Sequence, residues 1–251
     1  MTFGAGDDIS AGQAIDLRPL LIVTGLVQEA RIAAGPGMAV ICSSSSPRQL
    51  RALLTVVDPK SIRGVISFGV AGGLDPSLRS GDVVVATEVL AGDARWAAGL
   101  SLSDDLIGKL TSERRRVVRG LLAGAEEVLL GRSSKAALHS QTGAAAVDME
   151  SHIAASYAAE VGLPFAALRV ISDPADRALP ALARAAIKPN GQIDLATILR
   201  GVVRHPATLR ALVSTGLDFN RALRSLRGCR GFLPGSPLPD LHEQLVGAVK
   251  A

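Results

Sequence analysis

The chain has 251 residues, 48% of them hydrophobic and 20% charged, which is enough apolar material for one large core or two modest ones and excludes disorder. The 27 basic and 23 acidic side chains leave a formal charge of +4, and the two cysteines, Cys42 and Cys229, exclude a disulfide framework, a CxxC redox pair and a cysteine-rich zinc site, so a reducing cytosol is expected. Aromatic residues make up only 3%, so the core must be aliphatic, as where helices pack on a buried sheet.

At the N-terminus, MTFGAGDDIS carries acids where a secretory signal carries bases, and the first apolar run, Leu20–Val23 with Leu26 and Val27, falls far short of the ~20 residues a bilayer span needs. Neither a leader nor a span is expected. Short apolar runs then alternate with helical patterns, the signature of strands joined by helices. Strands are predicted over 20–27, 38–43, 64–69, 82–89, 116–124, 144–149 and 164–172. Pro47–Val57 reads as a helix opened by Ser46 with proline at its first position, Lys135–Gln141 as a short helix, and Glu150–Val161 as a helix that leaves a strand directly and is closed by Gly162. Residues 1–180 are expected to form one α/β core, a three-layer α/β/α sandwich.

After Pro180 the pattern changes. Asp194–Arg230 is helical in period, with Ile198, Leu199, Val202, Val203, Leu209, Leu212, Val213, Leu217, Leu223 and Leu226 interleaved with arginines, and Pro206 and Gly216 are expected to break it into segments. Residues 198–230 hold seven arginines and one acid, Asp218, a local charge of +6 that leaves the rest of the chain at −2. Residues 181–251 are thus read as a basic helical extension packed on the same domain.

Three segments carry candidate chemistry. Phe68–Leu74 places glycines at a strand end, where backbone amides approach a ligand closely or simply turn the chain. As G-x-x-G-G running into Asp75-Pro76, it does not fit the G-x-G-x-x-G dinucleotide fingerprint, which opens a helix. Val147-Asp148-Met149-Glu150-Ser151 sets an acid at a strand-to-helix junction, either as a ligand group or as a partner of the helix dipole, with Asp148 read as a strand-end residue. Arg169–Asp176 is a buried-looking strand ending in Asp173 and Asp176, at the place where open α/β sheets bind ligands or where a loop cap would sit. His139 and His152 lack a second His, Cys or acid at metal-ligand spacing, so both are read as structural or surface residues and no metal is expected. Trp96, placed in a loop, and Tyr157 are assigned to packing.

In this order, Ala71-Gly72-Gly73, Gly81-Asp82, Val147-Asp148-Met149-Glu150 and Arg169-Val170-Ile171-Ser172-Asp173 resemble the nucleoside phosphorylase and nucleosidase superfamily. That group includes purine nucleoside phosphorylases and methylthioadenosine/adenosylhomocysteine nucleosidases, and the likeness covers residues 20–178. It implies a mixed central sheet, a homo-oligomer and an enzyme that breaks the N-glycosidic bond of an adenosine-type nucleoside. In such a reaction positive charge develops on the ribosyl ring and negative charge on the departing base, and each needs a partner. By the same likeness Glu150 takes the ribose hydroxyls, Met149 packs against the sugar, Ala71, Gly72 and Gly73 border the substrate, and Asp173 is the general acid at purine N7. Arg169 is expected to fix Asp173 or a loop.

The resemblance has gaps around the nucleophile. The arginine and serine with which hexameric-type phosphorylases hold phosphate are replaced at the matching positions by Ser67 and Val70. The water-activating glutamate of the hydrolytic relatives corresponds to Glu29, one residue closer to the glycine than in the usual pattern. Ser43–Ser46 match a second-strand loop that borders the anion or water site, so Ser44 and Ser45 are either phosphate ligands or part of an ordinary polar loop. No cofactor is implied, and phosphate is the one co-substrate to consider. Phosphorolysis and hydrolysis both stay open.

A more particular resemblance is to the hopanoid-associated phosphorylases, which share the VDMESHIAA stretch (147–155) and an Arg-rich helical C-terminus. It implies adenosylhopane as substrate, cleaved to release adenine in hopanoid side-chain biosynthesis. A basic amphipathic tail suits an anionic membrane surface, where each arginine contributes about 1 kcal/mol, so a cytoplasmic protein peripheral at the inner membrane is expected. The same residues serve equally as a solvated face on helices that cap the sheet. Nucleic acid is not an expected partner, because no aromatic platform or known module accompanies the charge. The alternatives are a methylthioadenosine/adenosylhomocysteine-type nucleosidase and, from another class, a catalytically silent nucleoside-binding, membrane-associated accessory protein.

Overall fold

The computed structural model describes residues 16–99, 103, 116–180 and 209–233. In chain order the elements that position the site are β1 (Leu20–Thr24), α1 (Val27–Ala33), β2 (Met38–Cys42), α2 (Pro47–Leu54), β3 (Val65–Gly73), β4 (Val83–Ala91), β5 (Ala94–Ala97), β6 (Val117–Gly124), α3 (Arg132–Thr142), β7 (Ala146–Asp148), α4 (Ser151–Glu160), β8 (Phe165–Asp173) and α5 (Leu209–Cys229).

The strands make one mixed sheet. β1 lies between β2 and β3, parallel to both, and β8 runs parallel along β3. β8 also pairs antiparallel with β4, β4 parallel with β6, β6 parallel with β7, and β7 antiparallel with the end of β3. Strands β3, β8, β4, β6 and β7 therefore close on themselves, while β2 and β1 extend the sheet on one side and β5 hangs on β4 as an edge.

Period-2 alternation sends side chains to two cores. Leu20 and Ile22 of β1, Ile66 and Phe68 of β3, and Leu168 and Val170 of β8 pack with Ala33 of α1 and Ala222, Leu226 and Cys229 of α5. Leu21, Val23, Val65, Ala167 and Ile171 pack on the other face with Leu50 and Leu54 of α2 and Ile153, Ala154, Ala155 and Ala158 of α4. Both faces are covered, which is why these strands read as continuous apolar runs rather than alternating ones. This is the expected three-layer α/β/α arrangement.

Four details differ from the sequence reading. Val27 begins α1 instead of ending β1, because Leu26 takes an extended N-cap conformation. The glycine stretch is strand, not turn: β3 runs on through Gly73, its register against β8 shifts between Ala71 and Gly72, and Gly72 and Gly73 pair with Val147 and Ala146. Trp96 sits on the short edge strand β5, whose mostly exposed residues hid the strand pattern, and packs against the core. Helix α5 continues through Gly216; one mid-helix glycine costs about 1 kcal/mol, less than the downstream half gains by packing Ala222, Leu226 and Cys229 on the sheet. Pro206 and the predicted helical residues 194–208 lie outside the described residues.

The parallel strands β1, β2, β3 and β8 finish on the same side of the sheet, so the segments after them converge there, as ligand sites of α/β sheets do.

Candidate active site

Glu29 is fixed by the start of α1. As the third helical residue it turns back on the N-cap, a capping-box geometry, so its Oε2 accepts from the backbone N–H of Gly25 and of Leu26, both at 2.8 Å. Its Oε1 accepts from the N–H of Val70 on β3, also at 2.8 Å. The carboxyl is 1% exposed. Burial raises its pKa, and the Arg169 guanidinium and the three amides pull it back.

Beneath it lies Arg169, fully buried on the α4 side of β8. Its Nε pairs with Asp148, its Nη2 donates to Ser67 Oγ at 2.5 Å, and its Nη2 stands 3.7 Å from Glu150 Oε2. Ser151, the first residue of α4, holds Asp148 from the other side, its Oγ 2.5 Å from Oδ2. Asp148 is therefore the buried counter-ion of Arg169 and not a bare strand end. Arg169 itself does not line the cavity, and its partner is Asp148 rather than the expected Asp173. A β-carbon at Gly69 would stand 2.5 Å from Arg169 Nη1 and 2.7 Å from Glu29 Oε1, so only glycine lets those two charges meet across β3.

Glu150 caps α4 and accepts from Ser43 Oγ at 3.1 Å. Burial above all, with Asp148 and Glu29 adding repulsion against the attraction of Arg169, pushes its pKa up to about 7. Three carboxylates thus share one guanidinium. The loop after β2 that delivers Ser43 holds Ser44 and Ser45 at φ of 52° and 57°, a left-handed pair uncommon for residues other than glycine. Ser45 lines the cavity, whereas Ser44 is not among the lining residues.

Asp173, at the end of β8, is the other pole. Ser172 Oγ stands 2.7 Å from its Oδ1, and the ammonium of Lys135 on α3 stands 2.6 Å from its Oδ2. Its side chain is 15% exposed. Burial raises its pKa, Lys135 lowers it, and the charge of Asp218 on α5 adds to the rise.

A cavity of about 320 Å³ joins these groups. Glu29, Glu150, Asp148 and Asp173 line it together with Met149, Ala71 and Gly72, while Gly73 packs behind them against Ile171 and Pro174. The remaining wall is largely apolar: Val128, Leu129 and Leu179 from loops, and Leu212 and Phe219 from α5. Sequence reasoning missed Lys135 and this wall. The signal for Lys135 was its spacing, since it stands three, four and seven residues before Leu138, His139 and Thr142, the inward face of α3. His139 and His152 are structural, with His139 Nδ1 2.8 Å from the Ala144 carbonyl and His152 Nε2 3.1 Å from Glu126.

Several solved structures share the fold. The 5′-methylthioadenosine/S-adenosylhomocysteine nucleosidase of Helicobacter pylori is 18% identical with a TM-score of 0.63, over 86% of this chain and 96% of that one. Futalosine hydrolase of the same organism is 17% identical with a TM-score of 0.63 over the same shares. The 5′-methylthioadenosine/S-adenosylhomocysteine nucleosidase of Neisseria meningitidis is 17% identical with a TM-score of 0.62, again over 86% and 96%. The family model described as "Phosphorylase superfamily" matches residues 6–204, and the chain belongs to that superfamily.

Proposed function

We propose that this phosphorylase-superfamily enzyme hydrolyses the N-glycosidic bond of an adenosine-type nucleoside that carries a bulky apolar 5′ substituent. The observation that carries the choice of water over phosphate is the engagement of Glu29: the amides of Gly25, Leu26 and Val70, three cavity-lining donors at this strand end, all bind its carboxylate. A phosphate there would compete with Glu29 for them and meet the charges of Asp148 and Glu150, with Arg169 the one buried cation of the cluster among the described residues. A neutral water meets no such repulsion and finds a base of raised pKa beside it. In this reading Glu29 accepts the water's proton, Glu150 takes the ribose hydroxyls with Met149 against the sugar, and the carboxylate cluster stabilises the positive charge that grows on the ribosyl ring. Asp173, whose burial favours the protonated form, donates to the departing base.

The apolar wall supports the finer reading, a lipid-linked nucleoside such as adenosylhopane. Leu212 and Phe219 of α5 face the cavity, and the same helix exposes Leu209, Val213 and Leu217 beside its arginines, a composition suited to an anionic membrane surface. A nucleosidase for methylthioadenosine or adenosylhomocysteine would use the same polar groups with a smaller substituent on this wall.

The test is adenine release from adenosylhopane, methylthioadenosine, adenosylhomocysteine and adenosine, each with and without phosphate. Phosphate-independent release is expected, with the unphosphorylated sugar as co-product, the 5′-substituted ribose from the substituted nucleosides and ribose from adenosine. A requirement for phosphate, with ribose 1-phosphate formed, overturns the hydrolytic reading, and nucleoside affinity without turnover makes the protein a binder.

A further inference from the structure

Lys135 is the one buried residue of α3, 0% exposed. A buried ammonium needs both hydrogen-bond acceptors and a counter-charge. Its acceptors are the carbonyls of Asp173 at 3.1 Å, Pro174 at 3.1 Å and Arg177 at 3.3 Å, together with Asp173 Oδ2 at 2.6 Å. Three of the four are neutral, so the compensating charge comes from Asp173. The same nitrogen therefore fixes the carboxyl and the turn of chain that follows it.

We propose that Lys135 is a positioning residue for Asp173, holding the carboxyl by one oxygen at the cavity wall and setting its readiness to give up a proton. The proposal rests on the reading of Asp173 as the acid. Burial makes Asp173 a weaker acid, less ready to pass its proton to the departing base, and the neighbouring ammonium opposes that effect. The other charged groups around the carboxyl are Asp218 on α5, paired with Arg177, Glu127 on the loop before α3, and Glu29, Asp148 and Glu150 across the cavity. All but Arg177 are acids, and Arg177 is already paired with Asp218, so Lys135 is the cation that Asp173 itself contacts. The proton comes from solvent: the Asp173 carboxylate that balances Lys135 takes one up for the reaction, transfers it to the departing base and is left again as the carboxylate beside the ammonium.

The experiment compares Lys135→Met and Lys135→Gln with the unmodified chain, reading adenine release from whichever adenosine-type nucleoside turns over, across pH. Loss of the ammonium raises the acid's pKa, so the alkaline limb of kcat/KM, where Asp173 loses its proton, should move up by a pH unit or more while kcat falls at least 10-fold. Lys135→Gln keeps a donor for the Pro174 and Arg177 carbonyls and guards against a Met variant that does not fold. In an Asp173→Asn background either substitution should change kcat by less than 2-fold, because the group it acts through is gone. An unmoved alkaline limb in both variants, or a full further loss in the Asn background, makes Lys135 a staple for the loop and overturns the proposal. Full activity of Asp173→Asn alone would instead overturn the reading of the acid beneath it.

Discussion

Glu29 is both a helix cap and the proposed base, and replacing it by glutamine separates the two. Glutamine is as good a third residue in a capping box as glutamate, so an amide oxygen placed at Oε2 still accepts from Gly25 and Leu26. At Oε1 the amide nitrogen would face the Val70 N–H, donor against donor. Leaving that buried donor unpaired costs about 1–3 kcal/mol. Removing one of three crowded carboxylates returns part of this, because burial already disfavours the charge of Glu29 and its charge raises that of Glu150. A net loss of about 1–2 kcal/mol follows, which for a chain of this size moves Tm by roughly 2–4 °C per kcal/mol. Catalysis should suffer far more, since a lost general base removes about 10²–10⁴ in rate. Adenine release at saturating nucleoside, beside a thermal melt, measures both. Wild-type turnover with a lowered Tm would mean that Glu29 only caps α1 and that another group activates the nucleophile.

The same cluster makes stability depend on pH. The pKa of Glu150 is raised from 4.5 to about 7, so across that window the folded chain holds a proton that the unfolded chain has released, and stability falls as pH rises, by about 1.4 kcal/mol per pH unit for one group; melts should show a lower Tm at pH 8 than at pH 5, and Glu150→Gln should flatten the slope. Asp173→Asn should keep nucleoside affinity and lose about 10² or more in kcat, and calorimetry with a rate assay would expose a loop cap by its unchanged rate. Gly69→Ala forces a methyl between Arg169 and Glu29, and overpacking of this kind costs about 1–3 kcal/mol; denaturant titration checks it, and an unchanged midpoint would mean that the cluster yields freely. Neutralising the exposed Arg221, Arg224 and Arg227 on α5 should weaken sedimentation with anionic vesicles in a salt-sensitive way while sparing activity on a short nucleoside, and salt-insensitive binding would leave α5 as a cap on the sheet.

What was legible in the sequence follows its strongest periodicities. Strands buried on both faces announce themselves as apolar runs, as β1, β3, β4 and β8 do, and the half-buried β2 and β6 keep enough apolar residues to be placed with them to within a few residues. β5, mostly exposed and four residues long, has no such pattern. The convergence of Glu29, Glu150 and Asp173 was read from motif order, yet their supports could not be. Arg169 lies on the same face of β8 as Ala167 and Ile171, and nothing in its spacing says whether it reaches forward to Asp173 or across to Asp148. That choice is made by Ser67 and Ser151, whose hydroxyls come from β3 and α4. Lys135 was hidden for the opposite reason, since a lysine on a helix is ordinarily solvated. Its burial depends on a chain turn 38 to 42 residues away.

The two poles of the site solve one electrostatic problem in opposite ways. Around Glu29 and Glu150 the acids outnumber Arg169, the buried cation of this cluster among the described residues, which costs stability in the resting protein; in the proposed reaction that excess gains a partner when positive charge develops on a bound ring. Asp173 instead contacts a buried cation of its own, Lys135, while its acidic neighbour Asp218 is paired with Arg177, and in the proposed reaction that pairing lets Asp173 give up its proton. Under the proposed mechanism, exchanging the two arrangements would weaken both ends: a matched floor would pull less on the developing cation, and an unmatched acid would release its proton less readily. The separation is maintained by the sheet itself. Arg169 and Asp173 stand four residues apart on β8, one under the floor and one at the rim, and the register of β8 against β3 fixes which group each of them can reach.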